Sequence, residues 1–264
     1  MTVRLQVIGG GQMGEALVGG LVASGWAAAS EIHVVEPDAG RRAELESSTP
    51  GLVCAADPIN GVDALIAVKP YIVSAVCGSL AASGVQRVLS IAAGIRLAVL
   101  EEGLGDGVAV VRAMPNTPSL VGEGAAGISA GNYAGDEDLS WAAEILSAVG
   151  TVAVVDESLL DAVTGLSGSG PAYLFLLAEA LTEAAVLEGL SPETAASLTE
   201  QMLFGAATLL RESDDPPSVL RRNVTSEGGT TAAGLAVFEA ADFSGLVAAV
   251  VSAAAERSRE LGAS

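Results

Sequence analysis

Hydrophobic positions in the first half of the chain fall into short, β-branched runs separated by longer segments of mixed polarity. "RLQVI", "EIHVVE", "ALIAV", "RVLSI" and "VAVVRA" are such runs, each apolar enough to be buried on both faces. Residues 12–24, 38–47 and 71–82 read as helices between them. Strands alternating with helices predict an α/β architecture: a parallel, doubly wound sheet. The strand signal stops after about residue 157. Residues 174–187, 194–210 and 245–261 read as helices, and "LSPET" supplies Ser191 as an N-cap with Pro192 in the first turn. The segment 170–187 is apolar on most sides, interrupted only by Glu179 and Glu183. A helix that is apolar all round requires cover, and an all-helical domain of about 110 residues buries few of them alone. The expected cover is a second copy of the same chain.

One turn has a specific pattern. "VIGGGQMG" gives Gly9-x-Gly11-Gln12-Met13-Gly14 directly after the first strand and opening a helix. Gly9 permits a tight turn, Gly11 lets the backbone approach a pyrophosphate, and Gly14 allows close helix–strand packing. Glu36 ends the second strand 22 positions after Gly14. A carboxylate there accepts hydrogen bonds from ribose hydroxyls and repels a 2′-phosphate, whereas Arg41 and Arg42 nearby offer a 2′-phosphate some compensation. NADPH and NADH both remain open as cofactors. The predicted division is therefore a dinucleotide-binding Rossmann domain over 1–156 and a helical domain over 157–264. "AVKP" (with Val68, Lys69 and Pro70) and "RAMPNTP" (with Asn116) follow strands, at the edge of the sheet where ligands bind in this architecture.

Charge and composition narrow the partners. The formal net charge is −20 and Lys69 is the only lysine, which argues against nucleic acid or an anionic membrane surface. The most apolar late run, "GLVAAVVSAAA", is about half a membrane span. Cys54 and Cys77 are too few for a disulfide framework and read as buried thiols in a reducing compartment. The N-terminal stretch is too short for a signal-peptide core before Gly9, so a cytoplasmic location is expected.

The inventory of acids and bases is sparse. His33, the only histidine, lies in the second strand and reads as structural; the helical half contains neither His nor Lys, and its one tyrosine is Tyr173. No Cys/His cluster provides a metal site. A cofactor domain without a strong acid–base partner points to a substrate that brings its own proton, such as a protonated imine. Two turns suit an anionic small molecule. "SEGGTT" offers Ser226, Gly228, Gly229, Thr230 and Thr231, and "LSGSGPAY" (166–173) is a Gly/Ser turn with Pro171 at a helix start. Backbone N–H groups and the positive end of a helix dipole favour a carboxylate.

At "IGGGQMGEAL", "AVKP", "VRAMPNTP", "VTGLSGSGPAYLFLLAEAL" and "VTSEGGTTAAGL" the chain resembles the pyrroline-5-carboxylate reductases, over residues 7 to about 240. The resemblance implies reduction of 1-pyrroline-5-carboxylate to L-proline with NADPH or NADH, the last step of proline biosynthesis. It implies an interlocked homodimer, sometimes a ring of dimers. It also implies that the Ser226–Thr231 turn holds the substrate carboxylate, that Thr231 contacts the ring nitrogen, and that Lys69, Pro70 and Asn116 line the nicotinamide half of the cofactor site. Glu227 departs from the family's usual proline, and Glu36–Pro37 from the basic or small polar residue common in NADPH-preferring members. Rival readings are a related imine or hydroxyacid reductase and a non-catalytic nucleotide sensor.

Overall fold

The computed structural model describes residues 2–262. Strands β1 (Leu5–Ile8), β2 (Ile32–Val35), β3 (Val53–Ala55), β4 (Ala64–Ile66), β5 (Arg87–Ser90), β6 (Ala109–Met114), β7 (Gly124–Ala130) and β8 (Gly150–Val154) form one sheet. Its spatial order is β3-β2-β1-β4-β5-β6-β7-β8. Helices α1 (Gln12–Ala23), α2 (Ala39–Ser48), α3 (Val73–Ala82), α4 (Leu97–Leu104) and α5 (Asp136–Ser147) connect the strands. The order reverses between β1 and β4, which opens a crevice at their carboxyl ends.

Strand residues alternate between two cores. Val7, Leu65, Leu89 and Val111 pack with Leu17 and Leu21 of α1 and Ile145 of α5. Their neighbours Ile8, Ile66, Val88 and Val110 pack with Leu80 of α3 and Leu100 of α4. Successive side chains point to opposite faces, so a continuous apolar run serves both layers. The sheet departs from a wholly parallel one at β7, which runs antiparallel to β6 and parallel to β8. The link from β6 to β7 is short and contains only a 3-10 turn, Thr117–Val121. A parallel return needs about a dozen residues or more.

The sheet belongs to one compact unit that extends to Ser169 and includes the end of the chain from Ser252; a second runs from Gly170 to Val251. The first unit holds the short helix α6 (Leu160–Val163) and a π-helical turn, Thr164–Gly168. The second is helical: α7 (Gly170–Leu187), α8 (Pro192–Glu212), α9 (Pro217–Asn223), α10 (Thr230–Ala240) and the start of α11 (Phe243–Leu261). Ser191 caps α8 by accepting from the Thr194 amide, with Pro192 at the first position. In α7 no residue is buried, and Phe175 and Leu187 are 65% and 88% exposed. The apolar helix expected to need cover has no fully buried residue in the single chain.

His33 sits on β2 between β1 and β3 and is buried, with Nε2 unpartnered. Burial lowers its pKa below 6.5, and a hydrogen bond to the Asp57 backbone opposes this in part. Below about pH 6.5 the unfolded chain takes up a proton that the folded chain resists, so stability falls as pH drops. The urea midpoint is expected to decline from pH 7.5 to 5.5 more steeply in the native chain than in His33→Gln. Equal slopes would remove His33 as the cause.

Candidate active site

The glycine turn is built by steric exclusion. β1 ends at Ile8, Gly9 takes φ +108°, and Gly11 (φ −70°) is the N-cap of α1, which begins at Gln12. A β-carbon on Gly9 would lie 2.8 Å from the Ala67 carbonyl oxygen, and one on Gly14 would collide with the Gly9 carbonyl oxygen. Gly11 has open space where its β-carbon would be. No side chain caps α1. Its first amides therefore have neither an intrahelical acceptor nor a side-chain acceptor at the cap, an arrangement suited to a pyrophosphate.

A cavity of about 920 Å³ opens above this turn at the carboxyl ends of β1 and β4. Gly9, Gly11, Gln12, Met13, Glu36, Val68, Lys69 and Pro70 all line it. Gly14 lies behind the lining, against Gly9, as its packing role requires. Asn116 is buried next to the lining residues Pro115 and Thr117. Its side chain fastens the loop: Nδ2 donates to the Ser167 carbonyl at 3.0 Å, and Oδ1 accepts from the Ala125 amide at 2.8 Å. Asn116 therefore holds the cavity wall to β7 and to the π-helical turn. Lining residues not singled out from sequence include Asp57, Ile72, Val76 and Ser79. Asp57 follows β3, whose three residues are too few to show a period.

Glu36 accepts from the Gly10 amide through Oε2 and from the Asp38 amide through Oε1, each at 3.0 Å. The carboxylate is thereby fixed beside the glycine turn. A dinucleotide fits these residues: amides for the pyrophosphate, a carboxylate for a ribose, and Lys69 with the stiff Pro70 toward the other end of the lining.

The two donor-rich turns differ. In "LSGSGPAY" Pro171 does stand at a helix start, since α7 begins at Gly170, but Thr164–Gly168 before it is a π-helical turn continuing α6 rather than a loop. The Ser167 hydroxyl is spent on the Val163 carbonyl at 3.1 Å. "SEGGTT" is a turn that opens a helix. Gly228 has φ +69°, Gly229 is the N-cap of α10, and Thr230 and Thr231 are its first two residues. No side chain caps α10, and the Gly229 amide donates to Ser226 O at 3.1 Å. Ser226, Thr230 and Thr231 are exposed, as is Glu227. The thiols take no part: burial pushes both Cys54 and Cys77 up to about 11, so they stay protonated at neutral pH.

Residues 157–261 match the family model described as "Pyrroline-5-carboxylate reductase dimerisation", and residues 4–94 match "NADP oxidoreductase coenzyme F420-dependent". The pyrroline-5-carboxylate reductase of Synechocystis sp. is 43% identical over 99% of this chain and 99% of its own length. That of Pseudomonas aeruginosa is 43% identical over 98% of this chain and 97% of its own. The chain belongs to the pyrroline-5-carboxylate reductase family. The solved reductase from Coxiella burnetii has 37% identity and a TM-score of 0.93, with 99% of each chain covered. A Plasmodium falciparum pyrroline carboxylate reductase, solved with NADP bound, has 30% identity and a TM-score of 0.83 over 98% of each chain.

Membership explains a feature that would otherwise be ambiguous. The helical run Glu157–Leu187 is long and apolar enough, by length and composition alone, to cross a membrane. In a reductase of this family it falls within the region matched by the dimerisation model. That model describes dimerisation, with which the exposed apolar side chains of α7 are consistent.

The glycine geometry separates two roles experimentally. Gly11→Ala is expected to keep the melting temperature and lose about tenfold or more in cofactor affinity, because its β-carbon projects into the space a pyrophosphate needs. Gly14→Ala is expected to lose both, since overpacking costs about 1–3 kcal/mol. Thermal melts beside NAD(P)H fluorescence titrations read the difference.

Proposed function

We infer that this chain is an NAD(P)H-dependent oxidoreductase that reduces 1-pyrroline-5-carboxylate to L-proline, the final step of proline biosynthesis. Family membership supports the reaction, and the turn that opens α10 is the observation that ties it to this chain's own residues. That turn is uncharged apart from Glu227, rich in donors, and closed by Gly228 in the left-handed region. We assign the substrate carboxylate to Ser226, Gly228, Gly229, Thr230 and Thr231, and the ring nitrogen to the Thr231 hydroxyl. The cofactor is assigned to Gly9, Gly11, Gln12, Met13, Glu36, Val68, Lys69 and Pro70, with Gly14 and Asn116 holding that wall in place.

A bound nicotinamide supplies the hydride. The residues bind and orient: amides at the α10 N-terminus anchor the carboxylate, and the Thr231 hydroxyl fixes the nitrogen so that the carbon's face is presented. Hydride adds to a carbon already made electrophilic by the protonated nitrogen, so orientation supplies most of the rate. This agrees with a helical half that contains no His or Lys.

We assign dinucleotide binding to residues 1–156 and substrate binding with dimerisation to 157–264, a functional division that differs from the packing units, whose boundary falls after Ser169 and which count the chain from Ser252 with the sheet. We propose an interlocked homodimer, a ring of dimers as a larger form, and work in the cytoplasm. The exposed apolar side chains of α7 support the association.

Two measurements test this. Oxidation of NADH or NADPH with pyrroline-5-carboxylate is expected to proceed, and Thr231→Ala to lower kcat/KM by about tenfold or more through loss of a hydrogen bond that orients the reacting centre. Full efficiency in that variant would remove Thr231 from the role, and cofactor binding without turnover of any cyclic imine would indicate a sensor. Sedimentation is expected to give a dimer or a multiple of it; a monomer at micromolar concentration would contradict the reading of α7.

A further inference from the structure

We propose that the adenosine end of the cavity selects NADH over NADPH, through Glu36, Asp57 and the hydrogen bonds that occupy the Arg41 guanidinium. The proposal rests on the reading of the glycine-turn cavity as a dinucleotide site and specifies which dinucleotide it takes.

Glu36 is the group a ribose meets. Both its carboxylate oxygens are held by backbone amides, from Gly10 and from Asp38, so the side chain is not poised to swing away. A 2′-hydroxyl donates to such a carboxylate; a 2′-phosphate, which only accepts and carries negative charge, is repelled by it. Asp57 lines the same cavity and adds a second carboxylate.

The nearby cations do not offset this charge. Arg41 gives Nε to the Gly10 carbonyl at 2.7 Å, Nη2 to Glu15 at 2.6 Å and Nη1 to Glu44 at 3.1 Å. Its donors on all three nitrogens are engaged, two of them by carboxylates. Its hydrogen bonds to Glu15 and then to Glu44 hold its charge, raising the pKa further. Arg42 gives Nη1 to the carbonyls of Glu36 and Pro37, at 2.7 and 2.8 Å. Among the described residues neither arginine lines the cavity. To grip a 2′-phosphate bidentately, Arg41 would have to release these bonds and leave two carboxylates behind, while Arg42 is anchored through Nη1 to the backbone outside the cavity lining. The arginines that in sequence look like a phosphate clamp instead brace the Gly10 turn and the Glu36–Pro37 carbonyls.

The test compares kcat/KM for NADH and NADPH at matched pyrroline-5-carboxylate. NADH is expected to be favoured by about tenfold or more, as a carboxylate in place of a cation at the 2′ position demands. Glu36→Gln keeps an acceptor for the Gly10 amide and removes the charge; it is expected to shift the ratio toward NADPH by about tenfold. A native preference for NADPH, with turnover intact, would overturn the proposal and leave the reaction standing. No turnover with either cofactor would overturn the reaction instead, and a substrate-free measurement then still decides the proposal. Thermal shift of the native chain with 5′-AMP and with 2′-phospho-AMP isolates the adenosine end. Greater stabilisation by 5′-AMP supports the proposal, and greater stabilisation by the 2′-phosphorylated nucleotide refutes it. If Glu36→Gln fails to fold, the native-chain comparison carries the test alone.

Discussion

Backbone meets backbone where α1 leaves the sheet, and most of the first unit is arranged around that contact. Gly14 sits so close to the Gly9 carbonyl that no β-carbon fits between them, while Gly9 itself lies against the Ala67 carbonyl of the strand-end segment after β4. This closeness lets α1 begin directly at the cavity, which Gly11, Gln12 and Met13 line. It also sets Gly10 beside Glu36, so one turn fixes both the uncapped start of α1 and the Glu36 carboxylate. A slightly larger residue at either glycine would widen the spacing of helix and strand and disturb both at once.

A second buried arrangement steadies the same unit. Arg112 of β6 is buried and paired with Glu157 at 2.9 Å, and the same Glu157 oxygen accepts the Leu97 amide at the start of α4. One carboxylate thus neutralises a buried guanidinium and satisfies an orphan helix amide. Ion pairs of this kind contribute little net stability, but losing one partner leaves a charge buried alone. Further along, Ser258 of α11 donates to Asp161 of α6 at 2.6 Å, tying the last turns of the chain to the unit that holds the sheet.

What sequence made legible follows from where a residue's type dictates its place. The glycine turn, Glu36 and the Ser191–Pro192 helix start depend on local sterics and capping, and those are written in residue identity. The strand β7, "GAAGISA", lacks the β-branched density that marks a strand; its pairing is set by a short link and by the Asn116 bond to Ala125. The π-helical turn at Thr164–Gly168 resembles an ordinary Gly/Ser loop, because the extra residue per turn leaves no mark on composition. Arg41 is ambiguous in sequence for a different reason: Glu44 follows it at helical i,i+3 spacing, but no spacing rule joins Gly10 and Glu15 to it, and those two acceptors from other segments decide its position.

The apolar helix α7 and the glycine turn belong to different compact units. A change at the turn that leaves the fold standing therefore leaves the exposed apolar side chains of α7 unaltered. In a cell carrying one sound and one defective copy of the gene, subunits would mix freely, and the defect would appear as hybrid assemblies rather than as a missing half of the protein. How far such an allele is recessive then becomes a question of whether each subunit works alone inside the oligomer.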